Sequence, residues 1–310
     1  MLKTAFAAAI GRDEPLIIDG GLATQLEAQG CDLNNPLWSA SLLLEQPDEI
    51  IAASRAFLDA GAECIATASY QASREGFGAR GLTAKQADDL MESSVALARQ
   101  ARADFLAANP TVVFRPLIAA SIGPYGAVLH DGSEYRGNYG LTDKELLAFH
   151  RDRLRLFDAG EADVLACETV PSVLEARVLA ELLAGCKTPA WVSFSCCDGR
   201  HISDGTPIED AVALFQGHST VLAVGVNCTP PQFTVELIER IGRSLPDKAV
   251  IAYPNSGETW NAEQGRWSGS TMPLDYARAA QEWVEAGARI VGGCCRTGPE
   301  HITAITSAIR

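Results

Sequence analysis

Three thiols carry the most pointed chemistry in this sequence. Cys228 follows Asn227 at the end of one apolar run, and Cys294 and Cys295 follow Gly292 and Gly293 at the end of another. Thiolates are good ligands for Zn²⁺, and a catalytic zinc keeps three protein ligands with a fourth position open. Three thiolates on a divalent ion leave a net negative charge, which makes a poor Lewis acid for carbonyls or water. Such a centre suits thiol activation, because coordination deprotonates a thiol that otherwise titrates near about 8.5 and leaves its sulfur nucleophilic. With a substrate thiolate added, the centre becomes more negative and attracts a cationic electrophile, such as a sulfonium or quaternary ammonium methyl donor. The cysteine pattern alone also fits three small core residues or a redox disulfide. Their placement in the fold separates these readings.

Eight short apolar, β-branched runs alternate with longer helical patterns, as parallel βα units do. The runs are residues 15–19, 62–67, 112–120, 163–167, 189–195, 220–227, 248–253 and 287–293. Thr83/Gln86, Thr142/Glu145, Ser172/Glu175, Thr206/Glu209 and Thr297/Glu300 have the spacing of capping boxes at the helix starts. Gly61, Gly160 and Gly287 each close a helix before a strand, where a left-handed turn favours glycine. Eight such units predict a (β/α)8 TIM barrel, α/β in class, as a single domain over residues 1–310, in preference to an open doubly wound sheet. Barrel active sites lie at the C-terminal ends of the strands. Barrel closure then brings Cys228, ending the sixth strand, to the same rim as Cys294 and Cys295, ending the eighth, and favours the metal site. The glycines before Cys294 suit close backbone approach and unusual dihedrals.

Other strand ends narrow the chemistry. The lysines Lys3, Lys85, Lys144, Lys187 and Lys248 all lie off the predicted rim, so a Schiff-base mechanism lacks its nucleophile. None of His130, His150, His201, His218 and His301 ends a strand, which disfavours a histidine-rich hydrolytic metal site. The net charge of −14, from 39 acidic and 25 basic residues, shows no basic block, and nucleic acid is not an expected partner. No apolar stretch approaches the roughly 20 residues that span a bilayer, so no membrane association is expected. The N-terminal MLKTAFAAAIGRDEP reads as a short helix or arm rather than a secretion signal. Nine cysteines, an odd number in a chain too long to need disulfide staples, point to a reducing, cytoplasmic setting.

The segments IIDGGLATQLEAQG, LWSA, TASYQAS, ASIGPYGA, DGSEYRG, ACET, SFS, GVNC, YPNSGE and GGCCRT run through nearly the whole chain. On them the sequence resembles the homocysteine S-methyltransferase family. The resemblance implies a zinc-dependent transfer of a methyl group to L-homocysteine, giving L-methionine, with one Zn²⁺ per chain on Cys228, Cys294 and Cys295. It also implies that Glu168 binds the amino group of homocysteine and that the Asp19-Gly20-Gly21 turn lines the amino-acid site. The plainer readings are a helix-entry carboxylate for Glu168 and a turn residue for Asp19. Asn227 is either a group that orients its neighbours or a turn former.

The connection from Ser121 to Leu141 is long for a βα loop and carries Tyr125, Tyr135 and Tyr139. Aromatic faces attract cations, so Tyr125 and Tyr135, with Trp38, are expected to flank the methyl donor, against the alternative that they only pack. No G-x-G-x-x-G element follows the first strand, so a Rossmann mode of S-adenosylmethionine binding is not expected. The TASYQAS and DGSEYRG segments look more like the S-methylmethionine-using branch than the betaine-using one. S-methylmethionine is the expected donor, with S-adenosylmethionine second. The rival readings are betaine-dependent transfer and a non-enzymatic zinc or thiol sensor.

Overall fold

The computed structural model of the protein describes residues 4–35, 37–257, 259–261, 266–268 and 272–310. Lys3, and the Glu258 of the YPNSGE segment, lie outside them. All eight expected strands form. In chain order they are β1 (Leu16–Ile17), β2 (Cys64–Ala66), β3 (Leu117–Ile122), β4 (Val164–Val170), β5 (Ala190–Phe194), β6 (Val221–Asn227), β7 (Ala249–Tyr253) and, after an antiparallel pair β8 (Thr259–Asn261) and β9 (Arg266–Ser268), β10 (Ala288–Val291). The parallel sheet runs β1-β10-β7-β6-β5-β4-β3-β2. A parallel bridge between Ile18 and Cys64 joins its two edges, so the sheet closes into the (β/α)8 barrel. The third strand begins later than its sequence suggests: residues 112–116 form no strand, and Val113 is fully exposed.

Strand alternation sorts the side chains into two cores. Leu16, Ile18, Leu117, Ala119, Val164, Ala166, Trp191, Ala223, Ile251 and Ile290 point inward and fill the barrel. Their neighbours, among them Ile17, Ile118, Leu165, Val192, Val224 and Val291, pack outward under the helices. The expected N-terminal helix forms at Ala5–Ile10, and its Phe6 joins the inner core with its ring 5.9 Å from that of Trp191. Full burial of such a ring contributes on the order of 2–3 kcal/mol.

Carried one step further toward the C-terminal ends, the inward set becomes polar. Ser121, Glu168, Ser193, Asn227 and Tyr253 each stand two residues beyond an inward apolar residue or continue that alternation, and all are buried. Below this ring the barrel is a packed floor; above it lies the rim where chemistry can be placed.

The helix starts follow the sequence in part. Thr83/Gln86 and Thr142/Glu145 form complete capping boxes. Thr206/Glu209 does not: that helix starts at Ile208 behind Pro207, and Glu209 pairs with Arg240. Thr297 is likewise no cap, since its helix starts at Pro299 and its hydroxyl donates to the Cys294 carbonyl. Gly61 and Gly287 take the left-handed conformation, whereas Gly160, at φ −83°, does not. Among the described residues no helix is long and apolar enough to cross a membrane.

Candidate active site

A cavity of about 280 Å³ opens at the C-terminal rim. The sulfurs of Cys228, Cys294 and Cys295 form one corner of it, all within 4.8 Å of one another. Cys228 and Cys294, whose Cα atoms are 5.6 Å apart, are joined as a disulfide, and Cys295 Sγ lies 3.8 Å from Cys228 Sγ. That last spacing is about the edge of a tetrahedron with metal–sulfur bonds near 2.3 Å, so the donor set fits a zinc-sized ion once the pair is reduced. Burial pushes the Cys295 thiol up to about 11, against a lowering hydrogen bond from the Tyr135 hydroxyl. Neutral pH alone therefore does not ionise it, and metal binding must displace its proton. The other cysteines, Cys31, Cys64, Cys167, Cys186, Cys196 and Cys197, stand outside this group.

The adjacent glycines act through space rather than through dihedral freedom. A Cβ on Gly293 would run into the Thr297 side chain, and one on Gly21 would come 2.6 Å from the Cys294 carbonyl oxygen. A Cβ on Gly20 would meet the Thr297 carbonyl oxygen at 2.6 Å. Gly292 and Gly293 are not in the left-handed region, contrary to the expectation of unusual dihedrals there. The strained positions are other residues: Trp38, His130, Thr169, Cys228 and Arg296 all have φ between 48° and 65° or, for Cys228, 47°. The first four line the cavity and Arg296 follows Cys295. Left-handed backbone at a non-glycine residue costs on the order of 1–3 kcal/mol and is kept where the surroundings over-determine it.

Asn227 supplies much of that determination. Its Oδ1 accepts from the Thr169 amide at 2.7 Å, and its Nδ2 donates to Thr169 Oγ1 at 2.7 Å and reaches Cys294 Sγ at 3.8 Å. It is fully buried and ties the strained Thr169 to the cysteine corner, so it orients neighbours rather than merely forming a turn. Glu168 reaches the cavity by continuing the inward alternation of β4, and an irregularity in the β4–β5 register between Cys167 and Val170 accompanies the out-of-phase Thr169, which lines the cavity as well.

Glu168 accepts from Tyr253 Oη at 3.0 Å on Oε2 and from Ser121 Oγ on Oε1. Burial holds its carboxyl above the usual range, and those two hydrogen bonds oppose the shift. Asp19 Oδ2 accepts from the Ala66 amide at 2.7 Å. Its carboxyl is pushed up to about 8, chiefly by burial, with the Ala66 hydrogen bond lowering it and repulsion from Glu168 adding to the rise. A cation bound beside these two buried carboxyls favours the charged form of both.

Trp38, Tyr135, Gly20 and Gly21 also line the cavity. Tyr125 does not. Its ring packs against Tyr139, at 5.5 Å, and Phe149, at 5.1 Å, which removes it from the donor-facing set. Its amide donates at 2.7 Å to Glu175, whose other oxygen accepts from Tyr139 and which also contacts His150 Nε2 at 2.7 Å. Glu175 has the spacing of a helix cap, and Ser172 does accept from its amide. Its carboxylate is instead spent beneath the 121–141 connection. Arg153, also buried, holds the same region by donating to the carbonyls of Gly123 and Tyr70.

Tyr70, Gln71, His130, Glu134, Thr169 and Tyr253 line the cavity without having been singled out from the sequence. Tyr70 and Glu134 sit inside the TASYQAS and DGSEYRG segments, which was the available signal. Among the described lining residues there is no lysine or arginine.

The homocysteine S-methyltransferase family model matches residues 16–309. The chain is 47% identical to the homocysteine S-methyltransferase YbgG of Bacillus subtilis, over 95% of this chain and 94% of that one. Crystal structures of the Escherichia coli homocysteine methyltransferase MmuM superpose with TM-scores of 0.87 in a metallated form and 0.88 in an oxidized form. Each is 42% identical and covers 98% of this chain and 99% of that one. With sequence match, barrel and rim in agreement, this chain is a member of the homocysteine S-methyltransferase family, an enzyme of methyl transfer to homocysteine.

Proposed function

We propose that this enzyme is zinc-dependent and moves a methyl group from a sulfonium donor, S-methylmethionine in preference to S-adenosylmethionine, to L-homocysteine. The observation that carries the reading is one cavity holding three clustered cysteine sulfurs, buried carboxylates and aromatic rings, with no lysine or arginine among its described lining. Cys228, Cys294 and Cys295 would hold the Zn²⁺, which when bound supplies the means of keeping the homocysteine sulfur ionised at neutral pH. Glu168 and Asp19 receive the homocysteine ammonium, with Ser121, Tyr253 and the Ala66 amide fixing the two carboxylates. Trp38 and Tyr70, rings 6.3 Å apart and edge to face, offer faces to a sulfonium.

In the transfer the donor's S–CH₃ bond breaks and its electron pair returns to that sulfur, while the homocysteine sulfur forms the new bond to the methyl carbon. The donor leaves as a neutral thioether and needs no proton, so no general acid is required. With S-methylmethionine both products are methionine. A reducing compartment such as the cytoplasm would keep the three thiols available.

A donor panel tests this. Reduced, zinc-loaded protein supplied with homocysteine should form methionine fastest with S-methylmethionine, more slowly with S-adenosylmethionine, and not detectably with betaine. Turnover confined to betaine would reverse the donor reading. Bound zinc without turnover on any methylated donor would favour a zinc or thiol sensor.

A further inference from the structure

Among the described residues, one carboxylate oxygen of Glu134 has no partner. Glu134 sits in the single turn Ser133–Tyr135, whose position is pinned by Ser195 Oγ donating to the Glu134 carbonyl at 3.0 Å. The side chain lines the cavity, and Oε2 is buried without a hydrogen bond among the described residues. Glu134 lines the cavity together with Cys295 of the cysteine corner and with Tyr70 and Tyr135. Burial raises its carboxyl above the usual range, with Asp131 adding and Arg136 opposing. A buried acceptor left unpaired is costly, and the cost is removed by a ligand that brings a charged donor to it.

The missing group must carry N–H bonds as well as charge. A sulfonium has no hydrogen to donate and suits the ring faces of Trp38 and Tyr70, whereas an ammonium suits a carboxylate oxygen. Glu168 and Asp19 form a separate carboxyl pair, held by Ser121, Tyr253 and the Ala66 amide. Two carboxyl positions in one cavity match two amino-acid ligands, each with its own ammonium to favour the ionised form.

We propose that Glu134 binds the α-ammonium of the methyl donor, and so selects sulfonium donors that are themselves amino acids over onium compounds lacking the amino group. This rests on the sulfonium-donor reading above. Loss of one charge-assisted hydrogen bond to a buried carboxylate amounts to roughly 10- to 100-fold in kcat/KM.

The test compares S-methylmethionine with its des-amino analogue, 4-(dimethylsulfonio)butanoate, on zinc-loaded wild type and Glu134→Gln. Wild type should prefer the amino donor at least about tenfold. Glu134→Gln should lose most of that preference by slowing the amino donor alone, with homocysteine KM and zinc content unchanged. A variant that keeps the preference, slows both donors equally, or raises homocysteine KM instead would overturn the assignment while leaving the donor class intact. Wild-type protein that uses neither sulfonium would overturn the donor reading, and this assignment with it.

Discussion

Replacing Cys228 by alanine should empty the metal site and lower kcat by at least about three orders of magnitude, because two remaining thiolates do not hold a catalytic zinc. The same loss is expected for Cys295→Ser. Cys197→Ser is the control: that thiol is exposed, hydrogen-bonds to the His201 and Ile202 carbonyls, and lies outside the cluster, so zinc and turnover should both stay near wild type. Cys228 also occupies a left-handed backbone position. Cys228→Gly relieves that strain, so its metal-free form should melt no lower than reduced, metal-free wild type although its activity is gone. Metal analysis beside turnover and thermal melting separates loss of the ligand from loss of the fold. Full turnover by Cys228→Ala would remove this residue from the mechanism.

The second large effect is expected at Glu168. In Glu168→Gln the negative charge is lost, and the amide can accept from only one of Ser121 and Tyr253, which both donate to the carboxylate in the native protein. A charge-assisted bond to the homocysteine ammonium contributes about 2–3 kcal/mol, so kcat/KM for homocysteine should fall roughly 30- to 150-fold, mostly through KM. Donor KM and zinc content should change little. Steady-state kinetics with each substrate varied in turn reads this out, and an unchanged homocysteine KM would leave Glu168 as a structural residue only.

The barrel was legible because period-two alternation and strand-to-helix spacing record it directly. The three clustered cysteines were legible because Cys228 and Cys294-Cys295 end strands that closure brings together. Strand geometry was also informative at Glu168, where Val164 and Ala166 already mark the inward face. Less visible were features that depend on what a loop does after it leaves its strand. Nothing in its composition tells that Thr169 or Trp38 adopts left-handed backbone, since neither is a residue type that prefers it.

Glu175 shows a second kind of ambiguity. Its spacing from Ser172 reads as a cap, and only tertiary packing reveals that its carboxylate serves Tyr125, Tyr139 and His150. Tyr125 and Tyr135 illustrate the same point within one loop. Ten residues apart and identical in type, one packs beneath the connection while the other lines the cavity with Cys295. Glu134 of the same loop lies in the DGSEYRG segment, but its unpaired oxygen is a property of the folded cavity alone.

The central claim, that three cysteines hold zinc and leave one position for the substrate sulfur, is tested most directly by X-ray absorption at the zinc edge on reduced protein. Three sulfur neighbours are expected without substrate and four after homocysteine is added, at metal–sulfur distances near about 2.3 Å. An unchanged sulfur count on saturation with homocysteine, or a zinc shell dominated by nitrogen or oxygen, would contradict it.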